Sequence, residues 1–482
     1  MKIRFVILLC VLPFGLINAQ PNVEAERLNS FFADLIKQGR FHGSALVAQN
    51  GTRIYQKSFG LADIVTGTAN EQNTRFELAS LSKVFTAVSV MQLVEQSRVA
   101  LDTPVVRYLE TFPFRDITIR HLLSHTSGLP DFELFDQEYK ANPARIFTKE
   151  DIIPALKSWG VLKATPGEQW RYSSPGMAVL ALVVQKVSGK PFDRYLKDHI
   201  FKPAAMQNTY LLNALHPVTD PYKATPYCRQ YYFSSDFVAA DTMMHNKQFL
   251  HQSGGVEGPG LIVSTTNDLH NFDVAMFSSK LLGLPFLDLM FRPARLADGS
   301  LAVARHYPSE VNFGLGWFIL PDTTAGKIVF HSGFKPGTNS ILFHNLRTAS
   351  HVIVLDNGNS PGLAQSGFNA LRILSGQAID RPKTPVTFAF GRAIHKGATD
   401  LALLDLADAL KDSLQFTNMP RDWVAMGYEF FRAGYNDEAL ETYRTGFLLH
   451  SSNDFLCLLY GDALAKAGKK KEAISFTRRC CT

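Results

Sequence analysis

The sequence predicts an α/β fold of the α+β kind: an antiparallel sheet flanked by helices, followed by an all-helical tail. Strand-like runs occur near the beginning of the main body and again near its end, and helical patterns fill the stretch between them. Residues 399–482 carry only helical patterns. When strands begin and end a segment and helices lie between them, the first and last strands are expected to pair in one sheet.

Several stretches of the main body carry clear patterns. Residues 24–39 have apolar side chains at helical spacing and a glycine stop, and residues 43–60 form two β-rich runs around Asn50-Gly51, a strong hairpin signal. Residues 81–97 place apolar side chains on one helical face, and a second helix is predicted over 176–188. Late strands are predicted at residues 311–320, 327–333, 339–346 and 351–357.

Composition indicates a globular chain of enzyme size. Its 482 residues suffice for one large domain and an appendage, and 46% apolar against 19% charged residues favour a packed core over disorder. The net charge of +6 is small, and no basic stripe alternates with aromatic residues, which argues against a nucleic-acid partner. No CxxC pair and no HExxH motif occurs, so we expect no metal site. We expect no organic cofactor either.

The first 19 residues are typical of a secretory signal peptide. Two basic residues precede an apolar run from Phe5 to Ile17, and Ala19 offers a cleavage site. The run is shorter than the roughly 20 residues that cross a bilayer, so an uncleaved anchor is the lesser alternative. We therefore expect a periplasmic or secreted protein without a transmembrane segment after cleavage.

The sequence pattern changes near residue 380. Residues 24–380 are assigned to one domain, 381–398 to a linker and 399–482 to the helical tail. Within the tail, glycines such as Gly427 and Gly461 recur 34 residues apart, a period that resembles tetratricopeptide repeats. Fewer than two repeats are present, and a generic helical hairpin is the alternative. The tail is also a candidate surface for a protein partner.

The stretch FELASLSKVF places a serine three residues before a lysine at the predicted start of a helix. Residues i and i+3 share a helix face, so the Lys83 amine can reach the Ser80 hydroxyl. A nucleophilic serine needs a neighbouring base, and a helix N-terminus favours both an oxyanion and a neutral lysine. Ser332-x-x-Lys335 has the same spacing but follows a strand-like run. The position at a helix start therefore favours Ser80 and Lys83, rather than Ser332 and Lys335, as the nucleophile and its base. It also favours this role over the alternative that Ser80 and Lys83 are two polar residues on an ordinary amphipathic surface.

An ordered set of motifs resembles a known enzyme family. After LASLSKVFTA come HLLSHTSGLP at 121–130, WRYSSPG at 170–176, GLIVSTTNDL at 260–269 and HSGFKPGTNS at 331–340. Together they resemble the serine hydrolases of the class C β-lactamase and D-Ala-D-Ala carboxypeptidase family, whose members include esterases and D-amino-acid peptidases. The resemblance spans the main body and implies the serine β-lactamase/transpeptidase-like fold.

The resemblance also implies a role for each matching residue. Ser80 is the acylated nucleophile, Lys83 its proton partner and Tyr172 a second base or proton relay; which of the two bases takes the first proton stays open. The backbone N–H groups of Ser80 and Phe334 form the oxyanion hole. The implied substrate-binding residues are Ser174, His331, Ser332 and Gly333.

Two positions depart from the family pattern. Relatives usually carry asparagine where this chain has Ser174, and lysine is common where it has His331. A serine offers one short hydroxyl, and a histidine with its ordinary pKa of about 6.5 is mostly neutral at pH 7. Both changes favour esters or uncharged amides. Plainer interpretations are a helix N-cap for Ser174, a structural role for His331 and a core aromatic for Tyr172; His121 and His125 are expected to brace their loop.

The sequence therefore predicts an exported serine hydrolase that acts through an acyl-enzyme on Ser80. Its substrate is expected to be a small ester, amide or peptide, which makes the chain an esterase or a D-amino-acid or peptide hydrolase. One alternative is a penicillin-interactive enzyme, either a β-lactamase or a D-Ala-D-Ala carboxypeptidase. The other is a partner-binding protein that uses the repeat tail.

Overall fold

The computed structural model describes residues 23–212, 219–234, 236–304, 310–323, 326–380 and 383–480. The signal peptide predicted over residues 1–19 lies outside the described residues.

The strands are β1 (Gly43–Gln49), β2 (Thr52–Phe59), β3 (Leu61–Asp63), β4 (Thr68–Ala69), β5 (Phe76–Glu77), β6 (Tyr210–Leu211), β7 (Tyr227–Arg229), β8 (Phe237–Ala239), β9 (Ile262–Ser264), β10 (Val303–Ala304), β11 (Val311–Phe313), β12 (Phe318–Thr323), β13 (Gly326–Lys335), β14 (Thr338–Asn345), β15 (Ser350–Asp356), β16 (Thr384–Pro385) and β17 (Phe416–Thr417). The helices are α1 (Val23–Lys37), α2 (Lys83–Glu95), α3 (Ile119–Leu123), α4 (Asp136–Ala141), α5 (Ile152–Trp159), α6 (Ser174–Ser188), α7 (Phe192–Leu196), α8 (Met244–Ser253), α9 (Thr266–Phe277), α10 (Leu284–Met290), α11 (Leu363–Leu374), α12 (Val386–His395), α13 (Thr399–Ala409), α14 (Pro420–Arg432), α15 (Asn436–Leu449), α16 (Asp454–Lys466) and α17 (Lys470–Cys480).

Eight strands form one antiparallel sheet in the order β10-β11-β12-β13-β14-β15-β1-β2. β1 pairs with β15 along its whole length, so the first and last long strands of the main body are neighbours, as the sequence predicts. In the β1–β2 turn, Asn50 and Gly51 have φ angles of 49° and 73°, the left-handed conformation that a tight hairpin requires. The hairpin prediction is confirmed, and so are the predicted first helix, α6 and the late strands, within a few residues.

Helices cover both faces of this sheet. Leu46 and Ala48 of β1 point into the larger core, which contains the side chains of α2 and α6. Ala45 and Val47 point the other way, into a second core formed with α1 and α11. Because successive side chains of a strand point to opposite faces, β1 is buried on both sides and carries an apolar residue at nearly every position.

The helix predicted over residues 81–97 differs from expectation. Residues 79–82 form a 3-10 turn, and α2 begins only at Lys83. The sequence pattern predicts one apolar face, yet every residue from Lys83 to Leu93 is buried. A helix enclosed on all sides is typical of the core of a large domain, so α2 is the central helix of the molecule.

The predicted linker is partly helical. Residues 386–395 form α12, whose Val386, Phe390 and Ile394 are buried in one cluster with tail side chains such as Trp423. The tail also contacts the main body: Phe233, beyond β7, stacks on Phe430 of α14 with ring centroids 4.0 Å apart. The linker thus contributes to the packing of the tail rather than only connecting it. Among the described residues, no helix is both long and apolar enough to cross a membrane.

Candidate active site

Ser80 and Lys83 meet where the 3-10 turn passes into α2. Lys83 Nζ lies 2.9 Å from Ser80 Oγ and donates a second hydrogen bond to the Pro259 carbonyl, also at 2.9 Å. Ala79, directly before the serine, has a φ of 46°, a left-handed conformation that costs free energy for a residue with a Cβ atom. The turn therefore holds the hydroxyl against the amine, as the i, i+3 spacing predicts.

The Lys83 amine is buried, and its basicity changes accordingly. Its side chain is fully enclosed, with only 1% of the residue's surface exposed. Burial lowers the pKa of Lys83 to about 7, while the nearby Asp131 carboxylate opposes that shift. A lysine with a pKa near 7 is neutral in a large fraction of molecules at physiological pH, so it can accept a proton.

Strand β13 runs past the turn that carries Ser80. β12 pairs with β13 only as far as Phe330, whereas β14 pairs with it as far as Lys335. In these described pairings, the segment from His331 to Lys335 keeps one side without a strand neighbour. A Cβ atom added at Gly333 would lie 2.0 Å from the Leu78 carbonyl oxygen. Glycine at this position therefore permits the close approach of the strand to the turn.

Tyr172 joins the pair from the segment before α6. Lys83 Nζ lies 4.9 Å from the centre of the Tyr172 ring, and the His125 ring centroid is 4.4 Å from that of Tyr172. The structure thus brings together Ser80, Lys83 and Tyr172 from two distant parts of the sequence. The proton-relay role of Tyr172 and the oxyanion-hole role of the Ser80 and Phe334 N–H groups stay predictions.

Two buried imidazole rings lie near the Lys83 amine. His331 is 1% exposed, and burial together with nearby Lys83 lowers its pKa to about 3. Burial, Lys83 and His331 also hold the pKa of His125 well below its usual value. The expectation of an ordinary pKa for His331 is therefore wrong, because that expectation assumes a solvated strand edge. Both rings are neutral at physiological pH, and within the described part of the chain neither Nε2 atom has a hydrogen-bond partner.

Asp131 is a residue of this site that the sequence motifs do not predict. Its Oδ1 accepts a hydrogen bond from the Ser174 N–H at 3.0 Å, and the Ser174 hydroxyl also bonds to the carboxylate. The N-cap of α6 is Ser173, whose Oγ accepts from the Gly176 N–H, so the cap interpretation of Ser174 is wrong. An acidic residue in the otherwise apolar GLPDF stretch is the signal that could have identified Asp131.

The catalytic cleft is small. Its volume is about 70 Å³, and Ser80, Lys83 and Ser174 line it together with apolar side chains, among them Phe132 and Phe249. The buried Glu77 also lines the cleft, and it pairs with Lys223 at 2.8 Å and also with Lys335. Ligand pockets for drug-sized molecules measure roughly 300–1,000 Å³, so this cleft fits one small group.

Comparison with known proteins identifies the family. The Beta-lactamase family model matches residues 28–374. The chain belongs to this family. Penicillin-binding protein 4* of Bacillus subtilis (strain 168) is 31% identical over 365 residues, which are 75% of this chain and 78% of that protein. Esterase EstB of Burkholderia gladioli is 32% identical over 206 residues, covering 39% and 52% of the two chains.

A solved structure agrees with this assignment. D-amino acid amidase from Ochrobactrum anthropi SV3, in complex with L-phenylalanine amide, superposes with a TM-score of 0.61 at 22% identity, covering 74% of this chain and 99% of that one. At this identity the match bears on the fold alone, and the predicted fold class is confirmed. The named relatives of this β-lactamase-family chain support a serine hydrolase.

One group of side chains outside the cleft offers ligand atoms for a metal. Atoms of Asp273, His344 and His351 lie within 4.8 Å of one another, and all three residues are buried. Asp273 Oδ2 is 3.0 Å from His344 Nδ1 and 2.8 Å from His351 Nδ1, and the two histidines hold the pKa of Asp273 far below its usual range. These mutual contacts account for the burial of the three groups in this β-lactamase-family chain.

Proposed function

We propose that this protein is an exported serine hydrolase that forms an acyl-enzyme on Ser80, and that it acts as an esterase or as a D-amino-acid or peptide hydrolase. The observation that carries the proposal is the 2.9 Å contact between Lys83 Nζ and Ser80 Oγ at a lysine whose pKa is lowered to about 7. Such a pair supplies both the nucleophile and its base.

The proposed reaction has two halves. In the first, neutral Lys83 accepts the Ser80 proton while Oγ attacks the substrate carbonyl, and the N–H groups of Ser80 and Phe334 stabilise the oxyanion. The bond to the leaving group then breaks, and the proton reaches that group from Lys83 or through Tyr172. In the second half, water attacks the acyl-enzyme and restores the Ser80 hydroxyl.

The cleft favours esters or uncharged amides at the reacting end of the substrate. The Ser174 hydroxyl is engaged with Asp131, and His331 is neutral, so neither supplies a free amide or a cation to a substrate at this point. The apolar walls formed by Phe132 and Phe249 suit a small acyl or leaving group.

Two further parts of the proposal concern the location and the tail. Cys457 of α16 is disulfide-bonded, which supports an oxidising compartment outside the cytoplasm.

α16 begins at Asp454, 34 residues after α14 begins at Pro420, and α17 begins at Lys470, 34 residues after α15 begins at Asn436. This spacing supports the proposal of a tetratricopeptide-like tail, which can bind a protein partner.

Labelling with a fluorophosphonate probe tests the nucleophile. We expect the probe to modify Ser80, as located by peptide mapping, and we expect Ser80→Ala to lose the label. Ser158→Ala, which removes an exposed serine of α5, serves as the matched control and should label like the wild type. Equal labelling of Ser80→Ala and the wild type would refute the assignment.

A penicillin-interactive enzyme is the second candidate. It is favoured by the 31% identity to a protein named penicillin-binding protein 4*. Fast nitrocefin hydrolysis, or a stable fluorescent-penicillin adduct on Ser80, would favour a penicillin-interactive enzyme over an esterase. A panel of p-nitrophenyl esters, D-aminoacyl anilides and nitrocefin ranks the candidates by kcat/KM.

A further inference from the structure

Docking of the tail on the main body creates a second, larger cleft. Its volume is about 810 Å³, and its walls come from the end of α1, the β7–β8 hairpin, the linker, α12 and α14. Phe334 lines both this cleft and the catalytic cleft, and 62% of its surface is exposed. The two clefts therefore adjoin each other across one side chain.

The larger cleft is strongly basic. Five cationic side chains line it, namely Arg40, Arg229, Lys383, Arg392 and Arg432. We call it the arginine cleft. They belong to separate segments of the chain, so no single basic run of the sequence reveals them. Among the described lining residues the only carboxylate is that of Glu429.

Three of these arginines form no ion pair with an acidic residue that the structure describes. Within the described residues, Arg229, Arg392 and Arg432 form no ion pair, unlike Arg75, which lies 2.8 Å from Asp220. Arg229 instead donates to the Gly39 carbonyl at 3.1 Å. Burial lowers the pKa of Arg229 and of Arg392, and the proximity of Arg392 lowers that of Arg229 further. Arg229 and Arg392 are partly buried, whereas Arg432 is exposed. A partly buried cation without a counter-ion is costly, and a bound anion would offset that cost at Arg229 and Arg392.

The single carboxylate of the cleft is only partly charged. Burial raises the pKa of Glu429 to about 7, against the opposing effect of Arg432. Its Oε2 accepts a hydrogen bond from the Tyr232 N–H at 2.8 Å, which links α14 to the β7–β8 hairpin. Glu429 therefore cancels a small part of the positive charge, and the cleft keeps a clear cationic excess.

We propose that the arginine cleft binds an anionic end of the substrate, a carboxylate or a phosphate, while the scissile bond lies at Ser80. This inference rests on the proposed function. Guanidinium groups bind both anions through paired hydrogen bonds. The catalytic cleft of about 70 Å³ holds only a small group, whereas the adjoining 810 Å³ can take the rest of a larger molecule. The substrate class is thus an ester or amide with a remote negative charge.

Binding is measured first, separately from catalysis. Calorimetric titration with inorganic pyrophosphate and with glutarate is carried out on the wild type and on Ser80→Ala, which keeps the arginine cleft intact. We expect both proteins to bind at least one of the two anions. The anion that binds more tightly shows whether the cleft prefers a phosphate or a carboxylate. Arg392→Gln should weaken binding about tenfold or more, and Arg392→Lys should restore part of it.

Arg421→Gln is the matched control, because it removes a tail arginine that is 82% exposed and lies outside the cleft. It should bind like the wild type. Equal binding by Arg392→Gln and Arg421→Gln would overturn the proposal, and so would the absence of anion binding by the wild type. Melting curves of each variant verify that the tail is still folded.

Kinetics then connect the anion to the reaction. Mono-p-nitrophenyl suberate is compared with p-nitrophenyl octanoate, and 4-carboxyphenyl butyrate with phenyl butyrate, so that the charge lies on the acyl side or the leaving-group side. We expect kcat/KM to favour the charged member of one pair, and we expect Arg392→Gln to abolish that preference, whereas Arg421→Gln should keep it. If neither pair shows a preference, the proposal is wrong even though Ser80 is the nucleophile. If the fluorophosphonate probe instead labels Ser80→Ala as strongly as the wild type, the proposed function itself is wrong.

Discussion

The Lys83 amine and the Ser80 hydroxyl lie 2.9 Å apart, and burial of the amine lowers its pKa to about 7. An exposed lysine is almost fully protonated at neutral pH and cannot act as a base. The buried start of α2 therefore places Lys83 beside the serine and also gives the Lys83 amine a pKa at which it can accept a proton.

We expect kcat/KM for a neutral p-nitrophenyl ester to rise with pH through an inflection near 7. The reason is that only neutral Lys83 accepts the serine proton, and its neutral form increases as pH passes its pKa. Asp131→Asn removes a charge that favours protonated Lys83, so the inflection should move to lower pH by about one unit or more. Initial rates between pH 5 and 9 measure both effects.

Glu133→Gln is the control for this experiment, since it changes an acid that pairs with Lys163 and is not among the groups that shift Lys83. Its inflection should stay at the wild-type position. An inflection near 7 cannot be assigned to His331, because burial lowers the pKa of that ring to about 3. A pH profile that is flat around neutrality, or unmoved in Asp131→Asn, would contradict the assigned role of Lys83.

Lys83→Met should abolish activity and yet stabilise the fold. The native pKa of Lys83 lies below its unfolded value of 10.5, so the unfolded state binds the proton more tightly and burial of the amine costs stability. That cost is fully present below pH 7 and disappears as pH rises towards 10.5. The advantage of Lys83→Met should therefore shrink by up to about 1.4 kcal/mol per pH unit above pH 7.

Urea unfolding of the wild type and Lys83→Met at pH 7 and pH 9 measures this difference. Ser80→Ala is the matched control, because it is equally inactive but keeps the buried amine. Its stability should follow the wild-type pH dependence. A constant difference between Lys83→Met and the wild type at both pH values would mean that Lys83 is charged and paired in the folded protein.

Gly333→Ala should lower kcat/KM by at least about a hundredfold. The new Cβ would lie 2.0 Å from the Leu78 carbonyl oxygen and 2.9 Å from Leu81 N, so β13 must move away from the turn. That movement separates the Ser80 and Phe334 N–H groups proposed to stabilise the oxyanion. We also expect a loss of stability of about 1–3 kcal/mol or more from the forced contact.

Gly176→Ala provides the comparison, since its Cβ would meet only ordinary contacts, the nearest being Leu122 Cδ2 at 3.4 Å. It lies in a helix and should be neutral or slightly stabilising. Steady-state kinetics and melting temperatures are measured for both variants. Wild-type activity in Gly333→Ala would show that the close approach is not needed for catalysis.

The sequence predicts local features of the site better than long-range ones. The i, i+3 spacing identifies Ser80 and Lys83, and Asn50-Gly51 identifies the hairpin, because in each case nearest neighbours determine the geometry. Asp131 reaches Ser174 across 43 residues, and no periodic pattern connects the two. The charge states of Lys83 and His331 depend on the whole surrounding core, which a linear sequence does not contain.

The fold shows the same division. Pairing of β1 with β15 follows from the order of strand-like and helix-like runs, and it is confirmed. The burial of α2 on all its faces from Lys83 to Leu93 and the helical character of residues 386–395 are not predicted, because both arise from packing partners far away in the sequence. The arginine cleft is a further case, since its five cations come from separate segments.

Phe430→Ala should loosen the tail without disabling the hydrolase. Phe430 is fully buried, stacks on Phe233 of the main body, and is not among the described residues that line the cleft at Ser80. Truncation of a buried phenylalanine typically costs about 3–5 kcal/mol. We expect earlier unfolding of the tail and faster proteolysis there, an unchanged kcat/KM for neutral small esters, and loss of any preference for anionic ones.

Tyr428→Ala, on the same helix, removes a ring that is 59% exposed and should leave stability and proteolysis unchanged. Differential scanning calorimetry and limited trypsin digestion report the tail, and ester hydrolysis reports the cleft. If Phe430→Ala also destroys hydrolysis of neutral esters, the tail is required to complete the catalytic domain.

Replacement of His331 by asparagine should make the protein less sensitive to acid. In the folded state the pKa of His331 is about 3, below its ordinary value of 6.5, so the unfolded chain gains a proton first as pH falls. Its contribution to stability is thus fully present above pH 6.5 and is lost as pH drops towards 3, at up to about 1.4 kcal/mol per pH unit.

His331→Asn should reduce the slope of the unfolding free energy against pH between pH 6.5 and 4 by a comparable amount. Equal slopes for His331→Asn and the wild type would mean that His331 is solvated in the folded protein, and that the strand segment from His331 to Lys335 opens to water beside Lys83.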